Sequence, residues 1–262
     1  MVPKAFITEW RAIAPWYNDT MVEQDLIINK SVVEIFSHPL LANNLAFRGG
    51  TALHKIFMHP GARYSEDIDL VQTIAVPIGP IFDALHEQLT SWLGKPQRKQ
   101  GEGIVTLTYK VQSEENPSTV LKLKIEINSR EHFSVLGIQK KNFIVNSRWY
   151  AGKCEISTFQ LEELLGTKMR ALYQRRKGRD LFDLWLALTE CNVSPHLIVK
   201  CFKGYMERAG LKVSSKEYLL NMGGKMQHPG FINDTEYLIR NDISYSPEKA
   251  YQLFKEKILA IF

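Results

Sequence analysis

Two adjoining stretches, LAFRGGTALHKIF at residues 45–57 and RYSEDIDLV at 63–71, constrain the fold more than any other part of the chain. An apolar run enters a Gly-Gly pair, a segment of helical periodicity leaves it, and an HPGA loop leads into an alternating strand. The pattern predicts strand, tight turn, helix and strand, the beginning of a mixed α/β sheet. Successive side chains on a strand point to opposite faces, so Asp67 and Asp69 share one face and Ile68 turns away. Two carboxylates held that close repel each other unless a cation lies between them. Magnesium favours carboxylate together with phosphate oxygens, so a neighbouring phosphate site would complete the arrangement. Gly49 and Gly50 would let the backbone approach a triphosphate. The helix expected to start near Thr51 would aim free N–H groups and its positive end at the anion. The Thr51 hydroxyl could donate to a phosphate oxygen or cap the helix. Arg48 and Arg63 flank the turn and could reach phosphates or pair with Glu66.

Taken singly, these features are ordinary: a Gly-Gly pair is usually a turn, and an Asp-x-Asp is often a solvated strand edge. Asp-x-Asp also serves some glycosyltransferases, which hold a metal against a sugar nucleotide. In combination, strand, Gly-Gly-Thr, helix and Asp-x-Asp on the next strand resemble the DNA polymerase β-like nucleotidyltransferases. Chemistry of that kind uses two metals held by three carboxylates. In LKLKIEIN, Leu121, Leu123, Ile125 and Ile127 alternate with Lys122, Lys124 and Glu126, which puts Glu126 on the polar face of a strand. Glu126 could hold the second metal and activate an attacking hydroxyl, or belong to an exposed charged row.

The segment LEELLGTKMRALYQRRKGRDLFDLWLAL reads as a helix pair. Lys168 and Arg175, seven residues apart, point the same way, and a cation there could neutralise a triphosphate. Gly178 is expected to end one helix, Asp180 to cap the next, and Asp183 could orient Lys168. Between Lys140 and Asp180 ten Lys or Arg face four Asp or Glu, within a net charge of +5. That zone, with Arg175, Arg176, Lys177 and Arg179, suits a phosphate-rich acceptor or a solvated helix face.

At 262 residues, 45% of them apolar, the chain can bury a substantial core and is not disordered. Helices are expected over the first forty residues, with Pro39 as a stop, and over IGPIFDALHEQLTSWLG. IVTLTYKV and TVLKLKIEIN read as strands, and QKKNFIVNSRWYAGKCEISTF as one more. Helices follow, broken at Gly178, Pro195, Gly210, the GGK run and Pro247. The expected fold is α+β, a mixed sheet flanked by helices, in two domains at 1–150 and 151–262. Cys154, Cys191 and Cys201 form no Cys-x-x-Cys pair, and the chain shows neither a secretory start nor a bilayer-spanning apolar run. A reduced, cytoplasmic protein with no membrane association is expected.

The segments VEQDLIINKSVVEIF, LAFRGGTALHKIF, RYSEDIDLV, KIEI and LLGTKMRALYQRRKGRDLFDLWLAL, between residues 22 and 188, resemble the AbiEii/AbiGii-type nucleotidyltransferase-like toxins. The resemblance implies a polymerase β-like core with a helical C-terminal region. It also implies nucleotide transfer from an NTP, in a bacterial toxin–antitoxin or phage-defence system with a cognate antitoxin. For some relatives the acceptor is the 3′ end of tRNA. Carried over by position, Asp67 and Asp69 are metal ligands, Gly50 and Thr51 the phosphate cradle, and Lys168 and Asp183 the remaining active-site pair. Glu126 takes the superfamily's third-acid position. Fifteen residues separate Thr51 from Asp67, more than is usual in that superfamily, and no motif is recognised beyond residue 190. A protein hydroxyl as acceptor and a non-catalytic NTP- or RNA-binding module are the other readings.

Overall fold

Alternation of apolar and polar residues generates the sheet. A computed structural model describes residues 2–262. It divides into one unit ending at Phe133 plus Ile138–Phe159, and another comprising Ser134–Gly137 and Gln160–Phe262.

The first unit opens with helices α1 (Lys4–Trp10), α2 (Asp19–Ser37) and α3 (Pro39–Asn44). Strand β1 (Leu45–Arg48) then enters α4 (Gly49–Ala52), which continues as a π turn over Leu53–Phe57. After it come β2 (Asp67–Gln72), helix α5 (Gly79–Leu93), β3 (Gln97–Gln100), β4 (Ile104–Gln112), β5 (Val120–Asn128), β6 (Ile138–Asn146) and β7 (Ala151–Phe159). Among the described residues the seven strands form one sheet in the order β3-β4-β5-β2-β1-β7-β6. β2 runs parallel to β5 and β1 parallel to β7, while the remaining pairs are antiparallel, so the sheet is mixed as expected.

Leu121, Leu123, Ile125 and Ile127 of β5 are buried, as are Val105, Leu107, Tyr109 and Val111 of β4. α2 packs on β5, β6 and β7, and α5 on β4. α2 is buried on nearly every side, so its polar residues must find partners in the core. Glu23, fully buried, accepts from the Ser113 hydroxyl at 2.6 Å and the Glu114 N–H at 3.0 Å. Asp25 accepts from the Trp10 indole at 2.9 Å and pairs with Lys55 at 2.8 Å.

The second unit is helical: α6 (Leu161–Gln174), α7 (Gly178–Glu190), α8 (Pro195–Arg208), α9 (Ser215–Met226), α10 (Pro229–Ile232) and α11 (Pro247–Lys257). Glu163, fully buried in α6, accepts from the N–H groups of Val135 and Leu136, each at 2.8 Å, and from the Tyr205 hydroxyl at 2.9 Å. α6 and α8 approach closely at Gly166, where an added Cβ would lie 2.5 Å from the Cys201 Cβ.

Several elements differ from expectation. QKKNFIVNSRWYAGKCEISTF forms a hairpin of two strands, β6 and β7, instead of one. QRKQ adds β3, an exposed edge strand whose four polar residues show no alternation to read. The GGK run lies inside α9, which Ser214 and Glu217 start with a reciprocal capping box. Among the described residues no helix is long and apolar enough to cross a membrane.

Candidate active site

Register places the acids. β1 and β2 are antiparallel with Arg48 opposite Asp69, so the Gly-Gly turn leaves β1 beside the start of β2. β5 runs parallel to β2 with Lys124 opposite Asp67 and Glu126 opposite Asp69. Directly opposed residues share a face, so the three carboxylates lie on one side of two adjacent strands.

Gly49 adopts φ +80°, a conformation that favours glycine. A Cβ there would lie 1.9 Å from Oδ2 of Asp69, so the missing side chain leaves the space that the carboxylate fills. The helical turn begins at Gly49, two residues ahead of Thr51. The Thr51 hydroxyl caps nothing. Buried to 1% exposure, it donates to the Asp67 backbone carbonyl and lies 2.8 Å from the Ser65 hydroxyl. Thr51 therefore pins the first residue of β2 and does not face solvent as a phosphate donor would. Ser65 completes this clasp, and sequence reading missed it because nothing distinguishes a lone serine in a loop.

Electrostatics agree with the register. Burial, and then the charge of Asp69, push Asp67 up to about 6, against the pull of Lys124. Glu126 pairs with Lys124 at 2.7 Å, with its side chain about one third exposed. Burial alone would lower the Lys124 ammonium, but the hydrogen bond to Glu126 and the charges of Asp67, Glu126 and Asp69 outweigh it and raise its pKa. Among the described residues no three His, Cys, Asp or Glu side chains converge as a metal-binding cluster. The donor set still suits a hard divalent cation. Its oxygens are carboxylate, and Asp67 carries a proton affinity that a cation would relieve.

The flanking arginines depart from expectation. Arg63 is 2% exposed and donates to the Tyr64 carbonyl at 2.9 Å, a core residue and not a surface cation. Arg48 pairs with Glu131 at 2.6 Å and not with Glu66.

In the second unit Lys168, 6% exposed, lies 2.9 Å from Asp183 and 3.3 Å from Asp180, both fully buried. Arg175, just after α6, clamps Asp180 through Nε at 2.7 Å and Nη2 at 2.8 Å. Burial would raise the Asp180 carboxyl, but Lys168 and the Arg175 hydrogen bond override it and hold it below the usual range. Asp180 is not the cap of α7, whose N-cap position is Lys177. It is the second anion of a buried pair, overlooked because an Asp in a first turn is usually a capping residue. Among the other basic candidates, Arg176 is exposed, while Lys177 and Arg179 lie 3.6 and 3.3 Å from Asp234.

A family profile described as nucleotidyl transferase AbiEii toxin, type IV TA system, matches residues 31–260. Among solved structures, MenT4, a nucleotidyltransferase toxin of Mycobacterium tuberculosis, superposes with a TM-score of 0.69 at 14% identity, covering 100% of this chain and 91% of its own. JHP933 from Helicobacter pylori gives 0.56 at 16% identity, over 91% and 90% of the two chains. No curated protein matches the sequence. Identities this low speak for the fold, while the family profile, which spans most of the length, speaks for the lineage. The chain belongs to the AbiEii family, the nucleotidyl transferase toxins of type IV toxin–antitoxin systems.

Proposed function

We propose that this nucleotidyltransferase moves an NMP from an NTP onto a hydroxyl of an acceptor RNA, with tRNA 3′ ends as the first candidates, in a magnesium-dependent reaction with two ions. Family membership implies the NTP substrate and an antitoxin partner. The observation that carries the reading is the Asp67–Asp69 pair, packed against the Gly49 turn on one face of β2, where burial and the neighbouring Asp69 charge push Asp67 up to about 6.

Asp67 and Asp69 would hold the metal, with Glu126 released from Lys124 as the third ligand. Bound there, divalent cations would neutralise the triphosphate and make the attacking hydroxyl more acidic. The rest belongs to the chain. Gly49 and Gly50 let backbone N–H groups approach the phosphates, and the Thr51–Ser65 clasp fixes the start of β2 beneath them. The acceptor oxygen attacks the α-phosphorus in line, the bond to the bridging oxygen breaks, and pyrophosphate leaves with that electron pair. A Glu126 carboxylate oxygen is the proposed receiver of the hydroxyl proton. Lys168, oriented by Asp183, is the proposed cation for the triphosphate, with Arg48 as a further phosphate contact. Arg175, Arg176, Lys177 and Arg179 are proposed acceptor contacts. The sequence also offered Thr51 and Arg63 as nucleotide contacts; their burial supports roles in positioning the site.

The test incubates the protein with each α-labelled NTP, magnesium and total bacterial RNA, beside an Asp67→Ala/Asp69→Ala variant. Label on tRNA-sized RNA with the wild type alone is expected. Label that appears only on protein would sink the RNA acceptor, and no transfer to either would sink the reaction as written.

Gly49→Ala should be nearly as damaging as losing an acid. The new methyl meets Asp69 Oδ2 and must tolerate positive φ. Strain of this kind costs about 1–3 kcal/mol, so a thermal melt should show a lower Tm along with lost transfer. Wild-type activity in the variant would refute the close packing.

A further inference from the structure

The sheet face that bears the acids continues across β5, β4 and β3 as a basic surface. Asp69 stands opposite Glu126, Glu126 opposite Thr106, and Thr106 opposite Lys99. In the adjacent row Asp67 stands opposite Lys124, Lys124 opposite Thr108, and Thr108 opposite Gln97. One pair further along, Lys110 faces Lys122. Lys99, Lys110 and Lys122 are exposed, while Thr106, Thr108 and Lys124 are half-buried. Four lysines thus share this stretch of β3–β5 with one acid, Glu126, which is spent on Lys124.

The Lys110–Lys122 pair is the telling feature. Like charges directly opposite on antiparallel strands destabilise a sheet. A chain that keeps such a pair at the surface, on the face of its candidate catalytic acids, retains a feature that an anion laid across it would relieve. Phosphates are the anions that the reaction brings, and the threonines and Gln97 between the lysines can hydrogen-bond sugar and phosphate oxygens.

We propose that the open face of β3, β4 and β5 binds the sugar–phosphate backbone of the acceptor RNA, with Lys99, Lys110 and Lys122 as phosphate contacts leading toward Asp67 and Asp69. The proposal rests on the RNA-acceptor reading and adds to it contacts from the sheet of the first unit. Recognition is by charge and carries no sequence information.

A Lys110→Gln/Lys122→Gln variant tests it, with fluorescein-labelled bulk bacterial tRNA as the probe in anisotropy titrations over a range of salt. Losing two phosphate contacts should weaken binding roughly tenfold near physiological salt and flatten the slope of log K against log salt by roughly 1.5. Removing the repulsion should leave Tm unchanged or higher, and the Tm rise produced by magnesium and mixed NTPs should match the wild type. Weaker RNA binding in an equally or more stable protein is an outcome that a purely structural role would not produce. Unchanged affinity and slope would overturn the surface while leaving the RNA acceptor standing. If the variant loses binding to poly-glutamate but keeps tRNA, the face belongs to an acidic protein and the proposal falls. A wild type that binds no tRNA even at low salt would overturn both the surface and the acceptor.

Discussion

Replacing Asp67 by Asn is expected to cut nucleotidyl transfer by orders of magnitude and, at pH 8, to make the protein more stable. The two effects have one cause. Asp67 is pushed up to about 6 by burial and by Asp69, so its charge is unwelcome in the apo fold. A folded-state pKa above the unfolded value means that the ionised group opposes folding. The penalty is absent below pH 4, builds between about 4 and 6, and is complete above 6. Two pKa units correspond to about 3 kcal/mol, which solvent screening reduces to about 2. Asn of the same shape escapes the penalty, so Tm should rise by several degrees at pH 8 and by nothing at pH 4. Transfer should fall on the order of 10³-fold, the scale of losing one group that stabilises developing charge. Magnesium should raise the wild-type Tm and leave the variant's nearly unmoved, because only a ligand that binds the native state stabilises it. The wild type should also lose activity as pH falls through about 6, with the limb moving to lower pH at higher magnesium, since proton and cation compete for one oxygen pair. A variant that is active, or that is less stable at pH 8, would contradict this account.

Parts of the site that follow local periodicity were legible in the sequence, and parts that depend on distant contacts were not. Asp67 and Asp69 on their strand, and Glu126 on its own, could each be placed on the polar face, because strands have period two and the flanking Ile68, Leu70, Ile125 and Ile127 are buried. The β2–β5 register that brings the three together is not local. The glycine turn was legible for a related reason, as few other uses exist for two glycines between a strand and a helix. What stayed hidden depends on contacts distant in sequence. Arg63 reads as a surface cation, yet it is 2% exposed. Thr51 reads as a cap or phosphate donor, yet its hydroxyl is used by Asp67 and Ser65, more than a dozen residues away. β3 carries no apolar alternation, because an edge strand with both faces exposed needs none. In α9 the paired glycines read as a break, but the capping box and the burial of Tyr218, Met222 and Lys225 hold the helix through them. Lys225 donates to the carbonyls of Leu172 and Tyr173 at the end of α6, which gives the GGK run a packing role that no local pattern announces.

The second large effect is expected at Lys168. Its ammonium separates two fully buried carboxylates, Asp180 and Asp183. Lys168→Met would leave Asp180 with Arg175 but take the cation from Asp183, and breaking a buried pair from one side costs about 3–5 kcal/mol. For a chain of this size, Tm should drop on the order of 10 °C. Loss of activity in that variant would say little, since the second unit could be partly unfolded. Neutralising both partners separates the roles. In Lys168→Met/Asp183→Leu both members of the pair are gone, and most of the lost stability should return, because buried ion pairs replaced by apolar groups of similar volume are often neutral or better. If the pair only holds α6 to α7, transfer should recover with the Tm. If Lys168 also meets the triphosphate, the double variant should melt near the wild type and remain inactive, and that is the expected result. Recovery of both would reduce Lys168 and Asp183 to scaffolding and confine the chemistry to Asp67, Asp69 and Glu126.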